Sequence, residues 1–366
     1  MKFLVAGDFH SEIHEPSFCS ALRESGHEIV EFGWHVYFKD YQLYRSKKVK
    51  KNILASIVCR FQNKYSVGPL ISRINRDFLE CCEKNDPDLI FIFRGIHIRP
   101  KTLEKVKKRL KKTRLFAYNN DDPFGKTHHR YFWRNFLRCL PFYDHIFAYR
   151  EKNIADYAKI GITRASILRS YYIKERNYHI ASLPTQEYIA DVGFIGHFEN
   201  DGRDEYCRAL AETGRIKFRI NGAFWRKSRY HEFLQKHAGP ILPLYRDNEY
   251  NIAVNSVKIA LVFFSSLNND TYTRRTFEIP AARVFMLSQF SEDAASLFAP
   301  GKEAEYFHSK EEMIRKIDYY LTHDSEREAI ARNGFERLLR DGHEVRDRAA
   351  AVLSVFDETK TGDDIA

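Results

Sequence analysis

The chain has 366 residues, more than a single hydrophobic core usually serves, so two domains are expected. Its 44% hydrophobic and 30% charged residues are the mixture expected of a globular protein. No apolar run reaches the length of a membrane span, and the first residues turn polar too soon for a signal peptide. Charge is uneven: residues 1–180 carry 34 Lys+Arg against 19 Asp+Glu, a net of +15, which leaves −5 for the remainder.

Residues 2–6 read as a buried strand running into the loop Gly7-Asp8-Phe9-His10. A helix over 16–24 ends at Ser25-Gly26, where glycine suits a left-handed cap. Residues 27–32 are the next strand. Asp86-Pro87 then introduces Asp88-Leu89-Ile90-Phe91-Ile92-Phe93, the continuous apolar run of a parallel strand buried on both faces. A basic helix from Pro100, strands over 114–118 and 144–149, and a helix from Glu151 to Gly161 complete an alternating pattern. That alternation predicts a doubly wound parallel sheet, which places ligands at the carboxyl ends of its strands. The loops expected to matter are therefore 7–12, 94–97 and 119–129.

The polar, aperiodic stretch 171–189 reads as a linker. The pattern then restarts with a strand over 190–197 that leads into Gly196-His197, and a helix near Asp201. Strands follow over 216–220 and 257–263, a helix over 275–282, a short strand over 284–287, and helices over 311–321, 325–340 and 344–356. The expected organisation is an N-terminal Rossmann-like domain, 1–170, the linker, 171–189, and a second Rossmann-like domain, 190–342. A helix and tail, 343–366, are expected to pack back on the first domain.

The six cysteines are scattered, without a C-x-x-C pair, and read as buried reduced thiols with no metal site. The densest basic run, 105–114, reads as the solvated face of a helix or as a patch for anionic lipid or a phosphorylated acceptor. No nucleic-acid motif accompanies it.

The sharpest chemistry lies in the second half. The polar loop 268–274 runs straight into Arg275-Thr276-Phe277-Glu278. Free N–H groups at a helix start favour an anion such as a pyrophosphate, and Arg274 or Arg275 adds a bidentate donor. Glu278 reads either as a first-turn helix charge or as an acceptor for ribose hydroxyls. In the first half His10, Asp121, Asp122 and His128 are candidates for a base near an acceptor hydroxyl. Asp121-Asp122-Pro123 also reads as a turn and helix cap.

Several blocks carry a family resemblance. Thr276-Phe277-Glu278-Ile279-Pro280-Ala281, then Pro300-Gly301-Lys302-Glu303-Ala304-Glu305 and Ser309-Lys310-Glu311-Glu312-Met313, resemble the C-terminal half of CgeB-like proteins. Ser25-Gly26-His27-Glu28-Ile29 and Asn120-Asp121-Asp122-Pro123 resemble their N-terminal half. These are glycosyltransferases of the GT-B fold, related to the group-1 glycosyltransferases.

The resemblance implies two Rossmann-like domains facing a central cleft and a nucleotide sugar as donor substrate, with no cofactor and no metal. It implies that Glu278, at the second glutamate of the family's Glu-x7-Glu motif, binds the ribose. Asp270 stands at the first position, and Arg275 would meet the pyrophosphate. Thr276 and the loop Gly196-His197 belong to the same expected site, with Arg203 and Lys258 as substitutes for the family's Arg/Lys pair. The function implied is sugar transfer to a saccharide or lipid-linked acceptor in surface polysaccharide or envelope glycan synthesis. The expected location is the cytoplasm, with the basic half in peripheral contact with an anionic inner membrane face and no nucleic-acid partner. Alternatives are a sugar-nucleotide epimerase or hydrolase, and an envelope or spore-coat protein that keeps the fold without the catalysis.

Overall fold

The computed structural model describes residues 1–38, 53–125, 129, 131–182, 190–243 and 248–361. The described chain divides into two compact units, Met1–Arg169 with Val345–Ala366, and Ser170–Glu344.

The first unit is a six-stranded sheet in which every pairing is parallel, in the order β2-β1-β3-β4-β5-β6. Its strands are β1 (Lys2–Gly7), β2 (Glu28–Gly33), β3 (Leu89–Phe93), β4 (Arg114–Asn119), β5 (His145–Ala148) and β6 (Ala165–Ile167). Its helices are α1 (Glu15–Glu24), α2 (Ile53–Tyr65), α3 (Pro69–Asn85), α4 (Pro100–Arg109), α5 (Arg134–Cys139) and α6 (Glu151–Lys159). The central strand β3 is buried at all five positions, as its unbroken apolar run requires of a strand covered on both faces. Gly26, at φ 83°, closes α1: the amide of His27 donates to the carbonyl of Leu22 and that of Gly26 to Arg23.

The C-terminal helix α14 (Val345–Thr361) belongs to this unit. Phe356 packs edge-on against Phe3 and Phe116, Arg346 pairs with Glu24 at 2.6 Å, and Arg114 donates to the carbonyl of Thr359 at 2.7 Å.

The second unit is a five-stranded parallel sheet in the order β11-β10-β9-β7-β8. Its strands are β7 (Ala190–Ile195), β8 (Phe218–Asn221), β9 (Val257–Val262), β10 (Phe285–Gln289) and β11 (Glu305–Phe307). Around them lie α7 (Arg203–Glu212), α8 (His231–Ala238), α9 (Glu249–Asn255), α10 (Arg275–Ala281), α11 (Glu292–Leu297), α12 (Lys310–Thr322) and α13 (Asp324–Arg340). Residues 170–180 are held to this unit: Asn251 and Asn255 donate to the carbonyl of Tyr178, and Tyr172 bridges Glu344.

Counted from its own first strand, the first sheet has the order 2-1-3-4-5-6 and the second 2-1-3-4-5, so the duplication expected from the sequence is one of topology. Each order reverses beside the first strand, between β1 and β3 and between β7 and β9. Open parallel sheets bind ligands beyond the carboxyl ends of the strands at such a reversal. All six cysteines are free, five of them buried.

Candidate functional site

In the second unit the reversal point is built from the turns after β7 and β8 and from the start of α10. Gly196 follows β7, and a Cβ there would lie 2.7 Å from the Phe194 ring and 3.3 Å from Cζ of Arg275. The missing side chain is what admits the guanidinium. Gly222, at φ 151°, would place a Cβ 2.0 Å from the carbonyl oxygen of Gly196, so the two turns touch backbone to backbone. The indole of Trp225 donates to that same carbonyl at 3.0 Å. His197 accepts from the amide of Ala223 at Nδ1, 2.9 Å, which leaves the ring hydrogen on Nε2. Partial burial of the ring, and then Arg275, hold its pKa below the usual value, so the imidazole is neutral near pH 7 with Nε2–H as a donor.

Arg275 is the open cation of this site. Its guanidinium lies over the Phe194 ring, 5.8 Å from the centroid, and its Nε is buried without a hydrogen-bond partner. Arg274, one residue earlier, is committed. Its Nε donates to Oε1 of Glu278 at 2.6 Å and its guanidinium covers Tyr171 at 4.7 Å. Glu278 is buried, and its other oxygen accepts from the hydroxyl of Tyr250 at 2.7 Å. Tyr250 escaped the sequence reading because no motif surrounds it.

The start of α10 corrects one expectation. The amides of Thr276, Phe277 and Glu278 already donate to the carbonyls of Thr273 and Arg274, because Arg274 is itself helical and extends the turn backwards. Those N–H groups are consumed, so attraction for an anion rests on the Arg275 side chain. Thr276 is fully buried, and its hydroxyl accepts from the amide of Thr273 at 3.1 Å, which makes it a brace of this turn.

Beside this cluster, beyond β9 and β10, lies a cavity of about 280 Å³ whose walls include Arg203, Ser265, Asn269, Asp270 and Gln289. Asp270 lines this cavity, held through its amide to the carbonyl of Ser265 at 2.9 Å. Arg203 reaches the wall but is only 2% exposed, forks onto Asp201 and donates to the carbonyl of His197 at 2.8 Å. Its charge is neutralised in place, so it pins the β7–α7 loop. Lys258 is not brought to the cluster. It stands near the amino end of β9, faces Asp191 at 3.5 Å, and lines a different cavity with Arg283 and Arg327.

In the first unit His10 is exposed and stacks on His35 at 4.6 Å. Asp122 is fully buried. Its Oδ1 accepts from the amide of Phe124 and from Asn153, and its Oδ2 pairs with Lys152 at 3.1 Å. Three donors engage its carboxylate inside a turn. Asp121 pairs with Arg94 at 2.7 Å, and Arg94 stands between Phe132 and Trp133 at φ 60°. His128 lies outside the described residues. Among those described, no group of three or more His, Cys, Asp or Glu is placed to hold a metal ion.

Residues 203–354 match a family model described as glycosyl transferase-like. Similar solved structures extend over both units. HepE of Anabaena, solved in complex with UDP-glucose, superposes with TM-score 0.67 at 11% identity, covering 97% of this chain and 100% of its own. Sucrose-phosphate synthase of Thermosynechococcus elongatus gives 0.66 at 10% identity, covering 99% and 100%. The trehalose 6-phosphate synthase of Burkholderia multivorans gives 0.63 at 12%, covering 100% and 98%.

The fold is GT-B.

Identities this low carry the fold and nothing finer. No curated protein matches the sequence. Within the GT-B frame the matched segment begins at Arg203, the first residue of α7, and runs through the Arg275–Glu278 cluster into α14. Among the described residues no helix is long and apolar enough to cross a membrane.

Proposed function

We propose that the chain is a glycosyltransferase that moves a sugar from a nucleotide-sugar donor to a saccharide or lipid-linked acceptor. The observation that carries this reading is Arg275, a cation at the strand-order reversal that makes no ion pair among the described residues, its Nε buried without a partner and its guanidinium admitted by Gly196. Transfer breaks the bond between the anomeric carbon and the diphosphate, and negative charge grows on the departing phosphate. A fixed guanidinium and the Nε2–H of His197 stabilise that charge where it develops. Glu278 keeps a lone pair on each oxygen for the ribose hydroxyls, with its orientation set by Arg274 and Tyr250. His10 is the exposed first-unit candidate for accepting the acceptor's proton.

In this reading no metal is required, and the chain is a CgeB-like enzyme of surface polysaccharide or envelope glycan synthesis. The structural likeness to HepE, solved with UDP-glucose, supports a uridine nucleotide as the first donor to try.

The test is a thermal-shift series with UDP, ADP, GDP and their glucose conjugates, with and without a chelator. A ligand that binds only the folded chain raises its melting temperature. A shift with one nucleotide series that Arg275→Ala abolishes supports the reading. No shift with any of them overturns it. Incubation with the donor alone then separates the reactions: an epimer or free sugar formed without acceptor replaces transfer by epimerisation or hydrolysis.

A further inference from the structure

Helix α2 is inside out. Ser56, Cys59 and Gln62 are its buried positions, followed by Ser66 just past its end. Three of them have a partner in the fold: Cys59 joins the core, Gln62 accepts from the amide of Leu70 at 2.8 Å, and Ser66 meets Nδ1 of His97 at 3.0 Å. The large apolar side chains point the other way. Leu54 is 72% exposed, Ile57 55%, Val58 55% and Phe61 54%. Their spacing of i, i+3, i+4 and i+7 sets them on one stripe of the helix. A helix facing water runs its polarity in the opposite sense, so this stripe is suited to a second apolar phase.

Charge selects that phase. Helix α2 carries two exposed cations, Arg60 and Lys64, and no Asp or Glu. In the denser run that follows Pro100, Lys107 pairs with Asp144, Lys108 with Glu104 and Arg109 with Glu83. The stripe also continues into aromatic rings. Phe61 meets Tyr65 at 4.7 Å, Tyr65 meets Tyr131 at 4.7 Å, and Tyr131 stacks on His129 at 5.1 Å. That ladder leads from α2 to the segment after β4, on the ligand side of this unit's sheet.

We propose that α2 is an interfacial helix that docks the first unit on an anionic lipid bilayer. Leu54, Ile57, Val58 and Phe61 enter the acyl boundary, and the exposed Arg60 and Lys64 of the same helix meet the head groups. Docking sets the Phe61–Tyr65–Tyr131–His129 ladder beside the head-group plane. The proposal does not depend on the donor reading, because its test needs no nucleotide.

The experiment is flotation of the full-length protein with vesicles of phosphatidylcholine alone and of phosphatidylcholine with about one-third phosphatidylglycerol. The expected result is flotation with the anionic vesicles, weakened by salt, and little with the neutral ones. In Ile57→Ser/Phe61→Ser, binding falls by about tenfold or more while the melting temperature holds, since both side chains already face solvent. Failure of the parent to float, or flotation of the double variant equal to the parent, overturns the proposal. So does a dimer in light scattering that the double variant abolishes without vesicle binding, because the stripe would then serve a second copy of the chain.

Discussion

Tyr250 donates its hydroxyl hydrogen to Oε2 of Glu278 at 2.7 Å, on the carboxylate whose other oxygen holds Arg274. Glu278 is therefore both a ligand candidate and the counter-charge of a buried guanidinium, and the two roles separate by substitution. Glu278→Ala removes the carboxylate that compensates the buried Arg274, which costs about 3 kcal/mol of stability. Glu278→Gln keeps an acceptor for Arg274 while removing the charge. Its melting temperature should fall less than that of Glu278→Ala, while nucleotide affinity drops in both. Denaturant melts and calorimetry check this; equal destabilisation by the two variants would show that Arg274 does not need the charge.

Arg275 and Arg203 should behave oppositely. Among the described residues Arg275 has no acidic partner to strand, so Arg275→Ala leaves the melting temperature nearly unchanged and weakens nucleoside-diphosphate binding by about tenfold or more. Arg203→Ala removes the partner of the nearly buried Asp201 and destabilises the second unit by about 3 kcal/mol. Thermal melts paired with titration calorimetry distinguish a ligand cation from a structural one.

Gly222→Ala should disable the site through the backbone. The added Cβ would meet the Gly196 carbonyl at 2.0 Å, and backbone cannot swing aside as a flexible side chain can. A loss on the order of 3 kcal/mol is expected, with nucleotide binding lost as the β7 turn moves. Nucleotide affinity equal to that of the parent would contradict the packing of the two turns.

Asp122→Asn should lower stability without changing the shape of a pH–rate profile. Its carboxylate is held by Phe124, Asn153 and Lys152, all within the first unit. Loss of one limb of the profile in this variant would restore Asp122 as a base.

Acid should unfold the first unit through its buried histidines. Burial lowers the pKa of His97 to about 3 and that of His145 to about 4. Both are neutral when folded, whereas the unfolded chain protonates near 6.5. The unfolded state thus binds more protons below that value, and stability falls as pH drops from 6.5 towards 4. Each histidine contributes a slope of up to about 1.4 kcal/mol per pH unit in that window. Denaturant melts of His97→Gln between about pH 6 and 4 should show the slope reduced by one proton's worth.

Where a pattern depends on the chain's own periodicity, the sequence was enough. The apolar run of β3, Gly26 after α1 and the alternation of strand and helix specify two parallel α/β units, because burial on both sheet faces and the left-handed cap are demands local residues meet by themselves. That Arg275 and Glu278 share the start of one helix was also legible, from the polar loop that runs into it. What tertiary structure alone decided is which groups remain available once every partner is in place. Arg203 looked like a free cation until Asp201 closed on it, and the amides at the start of α10 looked open until Thr273 and Arg274 took them. Lys258 looked close in sequence to the site, yet a strand of six residues carries it towards the opposite end of the sheet. Leu54, Ile57, Val58 and Phe61 have the spacing of a core face, and only the packing of Ser56, Cys59 and Gln62 against the first unit turns that face to solvent. Periodicity fixes which residues share a side of an element; which side is buried, and which charge stays unpaired, depends on neighbours that arrive from distant parts of the chain.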